Sequence, residues 1–292
     1  MAVSGMMLEP VRFLFNESIN IFLQNSGNYF FDLLFLAVSA VFSQPGLMLL
    51  ASIIFWCHDR KNGIRLMYIT LFSALASIVA KSFFAMSRPP EYLHKTTANG
   101  LGFPSGHVMV SSSFFGYLGW NRKNRMVFII GAAAIIAVSI SRLYLGVHYM
   151  GDVIGGIFFG SLIAFIIFKA EPGILKIWEP LDARSKYFVI LISPVIIPAI
   201  AALQGGILRE HIELALVMAG AGTGYILEEE LIKFEDAKNN ILRIKRLFLS
   251  ILILAIVYLC GSLLFPDHSI FTYGMLGFTS TFIAPWAFTR ME

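Results

Sequence analysis

The chain has 292 residues, 57% of them apolar and only 14% charged, with a formal net charge of +4. Soluble globular proteins carry about 45–50% apolar and about 25% charged residues, so this chain has too few charges to coat itself in water. That excludes a soluble enzyme, a disordered regulator, a collagen-like fibre and a disulfide scaffold, and a mean hydropathy of +0.75 points to an integral membrane protein.

The first fifteen residues hold Glu9, Pro10 and Arg12 and lack the basic-then-apolar pattern of a secretory signal. From Val11 to Leu23, the residues Val11, Leu14, Phe15, Ile19 and Phe22 share one helical face, which suits a membrane interface. The apolar run Tyr29 to Phe42 is interrupted by Asp32 and ends at Ser43-Gln44-Pro45; it is expected to lie half-buried at the interface, with a further span as the alternative. A hydrocarbon core of about 30 Å takes roughly 20 apolar residues in a helix. Nine stretches approach this: about 43–57, 63–85, 105–120, 126–143, 150–169, 187–203, 212–230, 247–265 and 270–289. The expected fold is all-α, a polytopic transmembrane helical bundle of about nine spans with an N-terminal interfacial helix. Cys57 and Cys260 both fall in apolar stretches and read as free thiols.

Lys and Arg gather in alternate connections: 58–61, 122–125, 169–186 and 233–246. This bias reads as membrane topology, with no nucleic-acid partner, and the positive-inside rule makes these connections cytoplasmic. Nine spans then leave the N-terminus outside, the C-terminus inside, and 88–104 and 144–149 on the outer face.

Three polar clusters fall on that outer face. Lys81 is followed, after a gap of six residues, by Arg88-Pro89; Pro104-Ser105-Gly106-His107 opens one span; Ser141-Arg142 closes the next, and His148 and Asp152 follow. Ionisable groups at membrane depth are costly and functional by default. Singly, Lys81 or Arg142 would be a snorkelling anchor, Pro-Ser-Gly a turn and cap, and His148 an interface residue. On consecutive helices with short connections they should converge. Lys81, Arg88 and Arg142 supply three cations for phosphate oxygens. Pro104 suits a helix start, at which the N–H groups of Ser105 and Gly106 would face an anion. Asp152, four residues after His148, would take the Nδ1 proton and leave Nε2 free to attack, with His107 left to protonate the departing oxygen.

These residues resemble the three-part signature of the type 2 phosphatidic acid phosphatase (PAP2) superfamily: Lys81-x6-Arg88-Pro89, Pro104-Ser105-Gly106-His107 and Ser141-Arg142-x5-His148-x3-Asp152. The resemblance implies a phosphorylated His148 oriented by Asp152, and His107 as general acid. It also implies that Lys81, Arg88, Ser105, Gly106 and Arg142 bind phosphate, with no metal and no other cofactor. The expected organisation is an N-terminal segment over 1–42, a PAP2-like catalytic core over 43–169 and a C-terminal bundle of about four spans over 170–292. The layout is also similar to glucose-6-phosphatases, from which Asp152 and the ending Arg290-Met291-Glu292 depart.

The expected activity is an integral membrane phosphatase whose partners are the bilayer and a lipid phosphate or diphosphate ester: an isoprenoid diphosphate, phosphatidic acid or similar. A lipid phosphotransferase with the same phospho-histidine, or a glucose-6-phosphatase-like sugar phosphatase, is the alternative. Transport is disfavoured, because no inverted repeat appears. Glu228-Glu229-Glu230 reads as a solvated helix end, and Glu210-His211 and Asp267-His268 as caps in outer loops.

Overall fold

Long apolar stretches leave the backbone to satisfy its own hydrogen bonds, and helices do this within a single segment. The computed structural model describes residues 13–196, 198, 199, 209–264 and 269–291, and these hold helices and turns with no strand among them. Val11, the end of the expected span 187–203 and the Asp267-His268 pair lie outside the described residues.

The helices are α1 (Ser18–Asn25), α2 (Tyr29–Val41), α3 (Gln44–Cys57), α4 (Arg60–Phe84), α5 (Gly106–Arg122), α6 (Arg125–Tyr144), α7 (Met150–Trp178), α8 (Ala183–Ile192), α9 (Arg209–Leu231), α10 (Asn240–Leu264), α11 (Ser269–Phe278) and α12 (Ala284–Met291). Local sequence sets several boundaries. The Asn28 side chain caps α2 by accepting from the Phe31 N–H at 3.1 Å, and Asn124 caps α6 by accepting from Met126 at 2.8 Å. Between α5 and α6, Lys123 turns the chain in the left-handed region, with φ +48°.

The sequence predicts nine spans; among the described residues, four helices are long and apolar enough to cross a membrane: α4, α6, α7 and α10. A fifth follows if α2 and α3, bent by 58° at their junction, count as one broken span. The Tyr29–Phe42 run therefore forms half of a bent apolar pair. Other expected spans are shorter, more charged or interrupted. Helix α5 has 17 residues, about 25 Å at 1.5 Å per residue. Helix α9 carries Glu210 and Glu213 at one end and Glu228 to Glu230 at the other. The expected last span is divided by a π-helical turn at Thr279–Ile283 into α11 and α12.

The chain folds as two compact units, one from residues 1–47 and 72–169, the other from 48–71 and 170–292. In the first, Val108, Val138, Leu143 and Val153 form a buried cluster against which Ile19, Leu23, Phe42 and Met150 pack. Thus α1 and the end of α2 rest on the α5–α7 helices.

In the second unit α9 and α11 approach so closely that a side chain at Gly220 would strike the Gly274 carbonyl. The Trp56 indole donates to the Ser280 carbonyl at 2.7 Å. Glu228 is fully buried, not solvated as the triple-Glu helix end suggests: it pairs with Arg60 Nε at 2.9 Å and accepts from the Phe234 N–H at 3.0 Å. Glu229 accepts from the Tyr225 hydroxyl at 2.7 Å. A partner distant in sequence draws Glu228 inward, while Glu229 is half-buried and Glu230 stays exposed. Glu210 and His211 lie in the first turn of α9, His211 buried, so they do not cap an outer loop. Cys57 is buried and Cys260 exposed, and both are free thiols.

Candidate active site

The site lies in the first unit, where α6 ends and α7 begins. After Tyr144 the chain reverses through Gly146, at φ +72°, where a Cβ would also collide with the Leu93 carbonyl. His148 follows in the connecting loop, and Asp152 sits in the first turn of α7. Helix α7 starts two residues after His148, yet the pair still meets: His148 Nδ1 lies 3.1 Å from Asp152 Oδ2, which also accepts from the Tyr149 N–H at 2.9 Å. A carboxylate at this position is favoured by the unpaired N–H groups and dipole of the helix start.

Since the Asp152 carboxylate accepts, Nδ1 carries the proton and Nε2 the lone pair. That lone pair meets Arg88, whose Nη1 lies 3.1 Å from His148 Nε2. Backbone carbonyls hold the guanidinium in place. Nη1 donates to Val147 at 2.9 Å, Nε to Asn99 and Gly100 at 3.2 and 3.1 Å, and Nη2 to Asn99 at 3.1 Å. Burial, followed by the positive charges of Arg88, Arg142, Lys81 and His107, holds the His148 imidazole well below its ordinary pKa of 6.5.

Lys81, at the end of α4, donates Nζ to the carbonyls of Leu101 and Gly102 at 2.7 and 3.0 Å. A Cβ on Gly106 would lie 4.0 Å from Lys81 Cε, so the start of α5 stands beside this ammonium. Helix α5 begins at Gly106 with Ser105 as its N-cap residue, one position after the expected Pro104. The Ser105 N–H does not face outward: it donates to the Asp152 carbonyl at 2.9 Å, tying α5 to α7. What Ser105 offers a ligand is its buried Oγ, which has no protein partner. His107 is half-buried in the first turn of α5. Arg142 is 5% exposed; its Nη1 donates to Ser39 Oγ at 2.6 Å, and its Nε has no partner in the protein.

Several groups at the site carry no motif. Ser39 belongs to α2, and Asn20 to α1; the fully buried Asn20 amide donates to the carbonyls of Leu143 and His148 at 2.8 and 3.0 Å. Gln24 donates to the carbonyls of Leu93 and Tyr144, both at 2.8 Å. Asp32 accepts from the Tyr144 hydroxyl at 2.6 Å and pairs with Lys95 at 2.7 Å, which holds the Lys95 ammonium above its usual pKa. The available signal is modest: polar residues recurring within otherwise apolar stretches. Among the described residues, no group of three His, Cys, Asp or Glu side chains is placed to hold a metal ion.

Comparison with known proteins identifies relatives for both parts of the chain. Residues 62–174 match the PAP2 superfamily, and residues 212–292 match the transmembrane extension of PAP2 superfamily phosphatases. Phosphatidylglycerophosphatase B of Bacillus subtilis (strain 168) is 26% identical over 135 residues, 43% of this chain and 66% of that protein. Undecaprenyl-diphosphatase of Sulfolobus acidocaldarius is 32% identical over 126 residues, 41% of this chain and 61% of that protein. The chain therefore spans just under two thirds of the length of these curated relatives. A crystal structure of a transmembrane PAP2-type phosphatidylglycerolphosphate phosphatase from Bacillus subtilis matches with a TM-score of 0.48 and 22% identity, over 54% of this chain and 85% of that one. With its superfamily domain at 62–174 and the extension at 212–292, the chain belongs to the PAP2 superfamily.

Proposed function

We propose that the chain is a membrane phosphatase that hydrolyses a lipid phosphate or diphosphate ester through a phosphorylated His148, without a metal. The carrying observation is the arrangement of the imidazole, Nδ1 on the Asp152 carboxylate and Nε2 against the Arg88 guanidinium, each at 3.1 Å.

An arriving phosphoryl group draws the Arg88 donors onto its oxygens and uncovers Nε2. The lone pair attacks phosphorus, the bond to the departing oxygen breaks, and His107 delivers the proton that this oxygen needs. Arg88, Arg142 and Lys81 stabilise the equatorial oxygens, and Asp152 stabilises the imidazolium character that develops. Water, deprotonated by His107, then attacks phosphorus, releases phosphate and restores His148.

The names of both curated relatives support a lipid substrate, one a phosphatidylglycerophosphate and one an undecaprenyl diphosphate. Beside the site Phe103 packs edge-on against Phe15, Phe84 and Phe159, with ring centroids 6.1, 4.9 and 6.2 Å apart. Next along the chain from two of these rings, Phe83 and Phe158 are 74% and 61% exposed. An apolar surface against a cationic pocket suits an amphiphile, and an isoprenoid diphosphate is the substrate class we assign. The basic connections support a site on the extracytoplasmic face, with the core at 43–169 catalytic and the C-terminal bundle tuning access or assembly.

The test is phosphate release by purified protein from farnesyl diphosphate, phosphatidic acid and glucose 6-phosphate, each with and without EDTA. Release from the isoprenoid diphosphate that survives EDTA is expected. Preference for the sugar phosphate overturns the substrate class, transfer to an alcohol in place of release overturns hydrolysis, and loss with EDTA that a divalent metal restores overturns the mechanism.

A further inference from the structure

Two short helices outside the matched domain reach into the site. From α1 and α2, the polar side chains Asn20, Gln24, Asp32 and Ser39 all bond to the stretch between Arg142 and His148. The family match begins only at residue 62. We infer that α1 and α2 complete the active site, with Asn20 as the positioning residue of His148 and Ser39 as that of Arg142. This rests on the phosphatase function proposed above.

The geometry of Asn20 is specific. Its single Nδ2 serves two carbonyls, one at the C-terminal end of α6, where carbonyls lack helical partners, and one on His148 itself. The amide thereby fixes the backbone of the nucleophile relative to the helix that carries Arg142. Packing alone would be served by an apolar side chain at this fully buried position.

Ser39 acts on charge. Its Oγ accepts from Arg142 Nη1 at 2.6 Å, while Nε of the same guanidinium has no protein partner. One edge of the planar fork is thus anchored on α2, and a donor remains for an incoming anion. Without the hydroxyl, the fork loses the bond that sets which way it faces.

The test uses the full chain in detergent, with phosphate release from farnesyl diphosphate and inhibition by vanadate as readouts. Ser39→Val and Ser39→Thr have matched shapes and differ in the hydroxyl. Ser39→Val should weaken vanadate inhibition and raise KM by about tenfold, and Ser39→Thr should restore both. In an Arg142→Ala background the two substitutions should be indistinguishable, because Ser39 acts through Arg142. Asn20→Ala should lower kcat by about tenfold or more while KM stays within about threefold. Asn20→Asp, which keeps the shape without the amide donors, should behave alike.

Equal kinetics for Ser39→Val and Ser39→Thr overturn the role of Ser39, as does a full additional loss in the Arg142→Ala background. Wild-type kcat in Asn20→Ala, or a loss in KM alone, overturns the role of Asn20. A wild-type chain that releases phosphate from no ester instead refutes the proposed function, and vanadate-induced thermal stabilisation then reads Ser39 by itself. Where Asn20→Ala fails to fold, Asn20→Asp decides the question.

Discussion

Arg88 and His148 are joined through Nη1 and Nε2 at 3.1 Å, so the guanidinium covers the nitrogen to which the proposed mechanism assigns the attack. The same Nη1 also serves the Val147 carbonyl at 2.9 Å, so its two hydrogens have one acceptor each. A hydrogen bond to a neutral imidazole nitrogen is weaker than one to a charged phosphate oxygen, so the contact to His148 is the one readily surrendered. Arg88→Ala should therefore make His148 react faster with diethyl pyrocarbonate while lowering kcat/KM by about a hundredfold or more. Mass spectrometry of the labelled peptide checks the first effect; unchanged labelling would remove the covering role of Arg88.

A depressed His148 pKa has two consequences of known sign. The imidazole stays neutral through the neutral range, so the acid limb of the kcat/KM profile should fall below the ordinary value of 6.5. In the unfolded chain His148 takes up a proton near 6.5, whereas the folded chain does so only at lower pH. Unfolding therefore gains protons in that window, and its contribution to stability is present above 6.5 and lost as pH falls below it. Thermal unfolding of wild type and His148→Asn across this window should show a shallower acid decline in the variant.

Asp152→Asn should retain the shape at the start of α7 and slow turnover by about 10²–10⁴-fold. The carboxylate oxygen that receives both Nδ1 and the Tyr149 N–H becomes a neutral amide, which stabilises the imidazolium less and favours the wrong tautomer when it flips. Vanadate affinity should fall far less than kcat, and equilibrium binding would check this.

His107→Ala should depend on the leaving group. In the first step its assigned task is a proton for the departing oxygen, so the loss in kcat/KM should be large for an alkyl phosphate and small for para-nitrophenyl phosphate, while kcat falls on both through the water-activating step. Equal losses in kcat/KM on both substrates would take His107 out of the general-acid role.

In the second unit, Glu228→Ala leaves Arg60 without its buried partner at 2.9 Å. Breaking a buried pair costs about 3–5 kcal/mol, so the melting temperature should drop clearly. Turnover measured well below that melt should stay within about tenfold, since the assigned chemistry uses none of these groups.

Much of the candidate site was legible because its assigned residues occupy contiguous motifs. Lys81, Arg88, Ser105, His107, Arg142, His148 and Asp152 sit within three short patterns, and spacing along consecutive helices already suggests that they meet. What stayed hidden acts across long sequence separations. Ser39 reads as one small residue in an apolar run, and Asn20 as a polar break in an amphipathic helix, until their hydrogen bonds are seen. Glu228 hid for the same reason, since three adjacent carboxylates look solvated when Arg60 is out of sight. Apolar content does not register that the backbone changes its winding at Thr279–Ile283 within the expected last span.

The cations of the site are moored largely by main-chain oxygens. Lys81 rests on Leu101 and Gly102, and Arg88 on Asn99, Gly100 and Val147. A carbonyl orients a cation through its dipole and leaves the formal charge intact. Against Lys81, Arg88 and Arg142 stands the carboxylate of Asp152, so this quartet carries a surplus of two positive charges. A phosphate monoester dianion brings that charge with opposite sign. The charge of this quartet thus complements a dianion, and dianionic head groups should outcompete monoanionic phosphodiesters even where the apolar tails are identical.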